Sequence, residues 1–176
     1  PEVTPDQLPT ITPWVGVNLC HLLASYARVS PQIKWPNDLQ LNGLKVAGIL
    51  TEAREDFVIV GIGLNVMSAP PSGNARIEAI AVADVVQSPV SREMVLAALL
   101  TGIMAEMDAC AGHFEAQLER LRKSCYLTGK SIKFSAHEKE FSGLVRGVGP
   151  DGALQVEVEV DGEVMSFSQA SEINVL

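Results

Sequence analysis

Residues that could bind an anionic ligand are concentrated in three short motifs in the first third of the chain. They are KWPND at residues 34–38, KVAGIL at 45–50 and GIGLN at 61–65. Polar side chains at strand ends are common ligand-binding groups, because a rigid scaffold holds them in place. The three motifs are therefore our candidates for a binding or catalytic site.

Lys45 is the most informative residue of the second motif, because it interrupts the apolar run Leu44–Leu50. A lysine in such a run must reach a partner or extend its ammonium group to solvent. It is either a solvated residue of a hairpin or a cation directed at an anion such as a phosphate. Gly48, three residues later, would let a ligand approach the backbone closely.

The other two motifs each allow two interpretations. In residues 34–38, Asn37 and Asp38 either bind a ligand or form an Asx-type turn after a buried Trp35. In residues 61–65, a dinucleotide-binding fingerprint is excluded, because it needs a third glycine and a following helix. Gly61 and Gly63 still suggest backbone lying against a flat group, with Asn65 as a ligand amide or a turn residue.

The N-terminal half predicts a helix followed by an antiparallel sheet. Thr12 and Pro13 form a typical N-cap and first helical residue, so the helix is expected from there. Short strands follow, with a hairpin turn at Asn42-Gly43. The nearly all-apolar run from residue 57 to 66 predicts a central strand that is buried on both faces.

The C-terminal half predicts helices and then a small β-domain. A short helix is expected within residues 79–86, and a long helical region from Ser91 to about Cys125, bent at Gly112. Four or five short strands follow, and Leu154–Val160 alternates strictly between apolar and polar residues. This density of strands is typical of a small SH3-like barrel. The predicted division is residues 1–127 and 128–176.

Composition excludes several classes of protein. The chain has 176 residues, of which 47% are hydrophobic, and a net charge of −8. These values favour a packed core over disorder and argue against general nucleic-acid binding. No apolar run reaches the roughly 18 residues of a membrane span. Three widely spaced cysteines favour a reducing cytoplasm over a disulfide framework, and no cysteine or histidine cluster suggests zinc. The isolated histidines, His21, His113 and His137, are assigned no catalytic role.

Taken together and in this order, the three motifs resemble the catalytic domain of biotin–protein ligases. That family carries K-W-P-N-D, then K-x-A-G-x-L with apolar residues at x, then a strand that ends G-x-G-x-N. The resemblance extends more weakly over most of the chain. It implies an α+β fold, with a mixed sheet and packed helices related to class II aminoacyl-tRNA synthetases, followed by an SH3-like barrel.

The resemblance also implies a reaction. ATP and biotin, with Mg²⁺, give biotinyl-5′-AMP, and a lysine of a biotin carboxyl carrier protein domain then takes the biotin. Lys45 would be the catalytic cation, and Asp38 would orient it or assist the metal. Asn37 and Asn65 would lie near the nucleotide. The biotin and adenylate pocket would be lined by Lys45, Gly48, Leu50, Gly61 and Gly63.

Two family motifs do not occur in the chain. They are an S-T-N segment that contacts biotin and a loop, G-R-G-R-x-G-R, that closes over the phosphates; Arg28 is the only arginine among residues 1–30. The start at Pro1 adds to the expectation of a fragment or divergent member with little activity alone. Two alternatives remain: a non-catalytic module that binds the carrier protein, or a relative of the lipoate or octanoyl transferases. Oligomeric state does not follow from the sequence.

Overall fold

Three helices, nine strands and one 3₁₀ turn form the regular structure of the described residues. The computed structural model describes residues 8–54, 57–71, 78–110 and 114–176. The helices are α1 (Leu8–Tyr26), α2 (Arg92–Cys110) and α3 (Phe114–Ser124), and the 3₁₀ turn is Val82–Asp84. The strands are β1 (Gln32–Lys34), β2 (Asp38–Leu41), β3 (Leu44–Ala53), β4 (Val58–Leu64), β5 (Ser131–Ala136), β6 (Lys139–Val148), β7 (Leu154–Val158), β8 (Val164–Phe167) and β9 (Ser171–Val175).

The first sheet has four antiparallel strands in the order β1-β2-β3-β4. The hairpin predicted at Asn42-Gly43 is confirmed. Both turn residues have positive φ, 53° and 81°, which is the backbone that a two-residue type I′ turn requires. This turn places β2 and β3 side by side, so that the first two sequence motifs become neighbours.

The prediction that residues 57–66 form a buried central strand is wrong. β4 pairs with β3 alone among the described strands and is therefore an edge strand of the first sheet. Ile62 and Leu64 pack against the core, whereas Ile59 on the opposite face is 48% exposed. An apolar run predicts that a strand avoids water. The order of strands decides whether that strand lies at an edge, and the elements packed on the sheet decide which of its faces are covered.

The first helix begins earlier than predicted. Thr12 is not an N-cap, because α1 starts at Leu8 and Pro13 lies inside it. The Thr12 hydroxyl instead donates a hydrogen bond of 2.7 Å to Thr51 in β3. Residues 14–20 of α1 are all buried, because the helix packs against the first sheet and against α2 and α3. This burial outweighs the local cost of an internal proline.

The long helical region is present as two helices. It begins as predicted, since Ser91 accepts a hydrogen bond of 3.1 Å from the Met94 N–H through its hydroxyl oxygen, as an N-cap does. The bend expected at Gly112 lies outside the described residues. The helix predicted within residues 79–86 is reduced to the 3₁₀ turn Val82–Asp84, because residues 78–80 pair with the first sheet instead.

The second sheet has five antiparallel strands in the order β8-β7-β6-β5-β9. Three phenylalanine rings, Phe134, Phe141 and Phe167, pack with centroids 4.8–5.5 Å apart. The alternation predicted from Leu154 holds only to Val158, since Val160 is 96% exposed beyond the end of β7. The edge strands β8 and β9 do not pair with each other, so the described strands form no closed barrel. The α+β class is confirmed.

One hydrophobic core connects the two sheets. It contains Ile33 and Leu39 of the first sheet, Leu118 of α3, and Phe134 and Leu154 of the second sheet. The second sheet is thereby held against the strands that carry the first two motifs. No helix among the described residues is long and apolar enough to cross a membrane.

Two glycines give a test of this packing. A Cβ at Gly143 in β6 would overlap the Glu157 carbonyl oxygen and lie 2.8 Å from the Val156 side chain, whereas a Cβ at Gly102 in α2 meets nothing within 4 Å. We expect Gly143→Ala to lower the free energy of unfolding by about 2 kcal/mol or more. Gly102→Ala should be neutral or stabilise by up to about 1 kcal/mol, because alanine favours a helix. Urea unfolding measures both, and equal effects would contradict the described pairing of β6 with β7.

Candidate functional site

An ion pair joins the first two sequence motifs. Lys45 Nζ lies 2.6 Å from Asp38 Oδ1, and the two side chains are 31% and 18% exposed. Asp38 is the first residue of β2 and lies opposite Gly48 of β3. The pair is thus partly shielded from water yet remains open to a ligand.

The backbone of Lys45 is held from several sides. Its N–H donates to the Glu78 carbonyl at 3.0 Å, and its carbonyl accepts from the Ile80 N–H at 2.9 Å. On its other side Lys45 pairs with Gln40 of β2. Residues 78–80 gave no signal of this role in the sequence, because they pair with Lys45 only after the chain has folded. Their pairing fixes the base of the lysine side chain.

An exposed surface with little side-chain bulk extends from the ion pair across β3 and β4. Gly48 pairs with Gly63, and Leu50 pairs with Gly61, so all four residues lie on the same face of the sheet. Leu50 on this face is 62% exposed. We call Gly48, Leu50, Gly61 and Gly63 the glycine platform. Its flatness suits a planar or extended apolar group.

Gly48 has a second role that its sequence did not indicate. A Cβ at this position would lie 3.3 Å from both Asp38 Oδ1 and Lys45 Nζ. The space above its Cα is therefore occupied by the ion pair. Glycine at this position lets the two charged groups meet on the surface of the strand, at the end of the glycine platform.

The side-chain amide nitrogens of both candidate asparagines donate hydrogen bonds to backbone carbonyls. Asn37 Nδ2 donates to the Ile49 carbonyl at 3.2 Å, and the Ile49 N–H donates to the Asn37 carbonyl at 2.8 Å. Asn65 Nδ2 lies 3.2 Å from the Ile80 carbonyl and 3.5 Å from the Lys45 carbonyl. Asn65 thus connects the third motif to the second. Their contact with a nucleotide stays a prediction.

The second sheet contributes walls to the candidate site, which the sequence did not reveal. A cleft of about 480 Å³ lies between Asn37 and Leu50 on one side and Gly152 and Gln169 on the other. A larger cleft of about 950 Å³ lies on the other side of the KWPND turn, between Lys34 and Asn174. No pattern in the sequence assigned residues 151–153 to a binding site.

Within the described ranges, the histidines and Cys20 do not join this site. His21 lies on α1 and His137 in the β5–β6 turn, while His113 is outside the described residues. Burial raises the pKa of the Cys20 thiol to about 12, which keeps it protonated and unreactive. The described part of the chain contains no group of three histidine, cysteine, aspartate or glutamate residues that could hold a metal.

Comparison with known proteins points to one family. Residues 1–65 match the sequence model of the biotin/lipoate A/B protein ligase family. The bifunctional ligase/repressor BirA of Bacillus subtilis is 40% identical over 75 residues, which cover 40% of this chain and 23% of that protein. The biotin–[acetyl-CoA-carboxylase] ligase of Mycobacterium tuberculosis is 42% identical over 66 residues, covering 32% of this chain and 25% of that protein.

Solved structures extend the similarity beyond the matched segment. A crystal structure of the biotin protein ligase from Aquifex aeolicus matches with a TM-score of 0.82 at 22% identity, covering 97% of this chain and 74% of that one. Its complex with biotin and ATP matches with a TM-score of 0.82 at 20% identity, covering 99% and 73%. At these identities the likeness establishes the fold. The alignments to the two curated relatives span about a quarter of their lengths, 23% and 25%.

Substitution of Asn65 tests whether its side-chain amide stabilises the backbone around Lys45. Asn65→Asp replaces a donor with a carboxylate that faces two carbonyl oxygens, so we expect a loss of about 1–3 kcal/mol at neutral pH. Asn65→Ala should cost less, since it removes the donor without adding a negative charge. Lowering the pH should reduce the difference, because a protonated carboxyl group can donate again.

The matched control is Asn174→Asp in β9. Asn174 Nδ2 also donates to a backbone carbonyl, that of Glu172, but at an exposed position. This change should cost under about 0.5 kcal/mol, as surface substitutions usually do. Urea unfolding at two pH values measures all three variants. If Asn65→Asp lowers the free energy of unfolding as little as Asn174→Asp does, Asn65 does not position Lys45.

Proposed function

We propose that the chain, whose residues 1–65 match the sequence model of the biotin/lipoate A/B protein ligase family, carries part of a biotin–protein ligase site. The proposed reaction first joins biotin and ATP into biotinyl-5′-AMP, with release of pyrophosphate. A lysine of a biotin carboxyl carrier protein domain then takes the biotin. The observation that carries this proposal is the Lys45–Asp38 ion pair at the end of the glycine platform.

Lys45 supplies the positive charge that adenylate formation needs. The biotin carboxylate and the α-phosphate of ATP are both anions, so their approach is unfavourable without a cation between them. An ammonium group has three N–H donors, and Asp38 engages one side of it, which leaves the others for the two anions. Charge grows on the phosphoryl oxygens as the bond forms, so Lys45 binds the transition state more strongly than the ground state.

The glycine platform forms one wall of the proposed biotin pocket. The absence of side chains at Gly61 and Gly63 lets a ligand lie against the backbone, and Leu50 adds apolar contact area. The biotin carboxylate would then point toward Lys45. In this arrangement Asn37 and Asn65 would lie near the nucleotide, where the side-chain oxygens of both and the second amide N–H of Asn37 could contact it.

No group of three carboxylate, histidine or cysteine side chains among the described residues could hold Mg²⁺ by itself. Asp38 offers a carboxylate at the proposed site, and its Oδ1 is already paired with Lys45. The proposal therefore assigns no protein ligand to Mg²⁺, which would enter only as the counter-ion of ATP.

We further propose that residues 128–176 form an SH3-like module after a ligase-type domain of residues 1–127, and that the protein acts in the cytoplasm.

Two other functions give different results in one binding experiment. Titration calorimetry with a non-hydrolysable biotinyl-adenylate analogue, the matching lipoyl-adenylate analogue and an apo carrier domain separates them. Preference for the biotinyl compound supports our proposal, and preference for the lipoyl compound favours a lipoate-type relative. Binding of the carrier domain without either analogue would favour a non-catalytic module that binds the carrier protein.

We expect the 176-residue chain to release little or no pyrophosphate from ATP with biotin and Mg²⁺. It contains no G-R-G-R-x-G-R sequence, so it lacks the loop that would close over the phosphates and exclude water. A continuous pyrophosphate assay, with heat-denatured chain as the blank, measures this. Sustained turnover would show that another element of the chain binds the phosphates.

Replacement of Lys45 tests the proposed cation. Lys45→Ala should weaken binding of the biotinyl-adenylate analogue by about 10-fold or more, because a hydrogen bond to a charged group contributes about 1.5–3 kcal/mol. Lys45→Arg should rescue only part of this loss, because a planar guanidinium does not replace a compact ammonium.

Lys133→Ala is the control for Lys45→Ala. Lys133 also pairs with a carboxylate, Glu140, at 2.9 Å, but it is an exposed residue of the second sheet. Its replacement should leave the affinity unchanged. Unchanged affinity in Lys45→Ala would make Lys45 a solvated hairpin residue, and a large fall in its melting temperature would make its role structural.

A further inference from the structure

The side chain of Trp35 connects the KWPND turn to the second sheet. It is 3% exposed, and its Nε1–H donates a hydrogen bond of 3.0 Å to the carbonyl of Gly152, which lies 117 residues further along the chain. Trp35 is followed directly by Pro36, Asn37 and the Asp38 of the ion pair. A hydrogen bond to a residue distant in sequence therefore holds Trp35, which lies three residues before Asp38.

The acceptor of this bond belongs to a tight turn between β6 and β7. The Gly149 N–H donates to the Ala153 carbonyl at 2.8 Å, and the Gly152 N–H donates to the Gly149 carbonyl at 3.1 Å. Asp151 Oδ1 accepts a third bond, of 3.1 Å, from the Ala153 N–H. A turn closed by three hydrogen bonds holds the Gly152 carbonyl in a fixed direction.

The KWPND turn is also attached to β3. Asn37 and Ile49 exchange two hydrogen bonds, of 2.8 and 3.2 Å. The turn therefore lies between the β6–β7 turn, which Trp35 contacts, and β3, which Asn37 contacts. The same elements line the cleft of about 480 Å³ that contains Leu50 of the glycine platform.

We propose that Trp35 is a positioning residue of the ligand site and acts through its indole N–H. The bond to Gly152 fixes the start of the turn and thereby the position of Asp38, which in turn orients Lys45. The effect of this contact on ligand affinity rests on the proposed function, whereas the coupling of the two sheets through Trp35 does not.

The second tryptophan of the chain shows that this hydrogen bond is not simply a result of burial. Trp14 in α1 is 8% exposed, yet its Nε1 has no hydrogen-bond partner among the residues that the structure describes. The two residues therefore offer a matched pair of substitutions. Trp35→Phe removes a hydrogen-bonded N–H and leaves the Gly152 carbonyl without this donor, while Trp14→Phe removes an N–H for which the described residues provide no acceptor.

The first readout is backbone amide hydrogen exchange measured by NMR, without any ligand. We expect Trp35→Phe to raise the exchange rate of the Ile49 amide, which donates to the Asn37 carbonyl, by at least about 5-fold more than that of the Gly129 amide. Gly129, in the turn before β5, donates to the Val145 carbonyl of β6 and reports stability away from the KWPND turn. A general loss of stability raises both rates together. Trp14→Phe should change their ratio little.

The second readout is the dissociation constant of the non-hydrolysable biotinyl-adenylate analogue. Trp35→Phe should weaken binding by about 5- to 10-fold, and Trp14→Phe should leave it unchanged. If the Phe variant does not fold, benzothienylalanine at position 35 is used instead, since it keeps the ring shape and replaces only the N–H with sulfur.

The two readouts distinguish failure of the inference from failure of the proposed function. If the unsubstituted chain binds no analogue, the proposed function fails, and the positioning role is still decided by the Ile49 amide. Equal acceleration of Ile49 and Gly129 exchange in the position-35 variants would overturn the role of Trp35. An equal change of the exchange ratio in Trp14→Phe would also overturn it.

Discussion

The ion pair between Lys45 and Asp38 is the interaction on which the candidate site depends. A partly shielded lysine loses much of its hydration, and a carboxylate 2.6 Å away offsets that loss. The pair is possible because several backbone contacts hold Lys45 and because Gly48 leaves room above the strand. The rest of the site can be understood as the means of keeping these two charges together and accessible.

Glycine has two different uses on the sheet that carries this pair. At Gly48 the missing side chain makes space for the protein's own charged groups. At Gly61 and Gly63 it leaves an exposed backbone surface on a strand that pairs along one edge among the described residues. Glycine thus provides both the space for the ion pair at the end of the platform and the bare backbone surface beside it.

The second sheet packs against the first sheet and helps to hold it in place. Residues of both sheets share one hydrophobic core, and Arg122 of α3 donates through Nε to the Val148 carbonyl at 2.9 Å. Residues 151–153 and 168–170 line one side of a cleft whose other side is formed by the KWPND turn and β3. Contacts of this kind make the geometry of the first sheet depend on residues more than a hundred positions away.

Local sequence determined the elements that depend on neighbouring residues. The Asn42-Gly43 hairpin follows from residues that tolerate positive φ. The N-cap at Ser91 and the alternation of β7 up to Val158 also follow from short-range patterns. The three motifs indicated a resemblance to one family, because their order within about thirty residues is specific even though each is weak alone. The same spacing placed Lys45 close enough to Asp38 for a hairpin to bring them together.

Tertiary structure decided everything that depends on which surfaces meet. Burial among three neighbouring elements extended α1 past an internal proline, and the order of strands left β4 at an edge although its residues are apolar. The pairing of residues 78–80 with Lys45 and the bond from Trp35 to Gly152 join segments that no local pattern relates. The sequence by itself determined the identity of the chemical groups and their local turns. Only the packed structure decided their partners and their exposure, because both depend on contacts between residues that are distant in the chain.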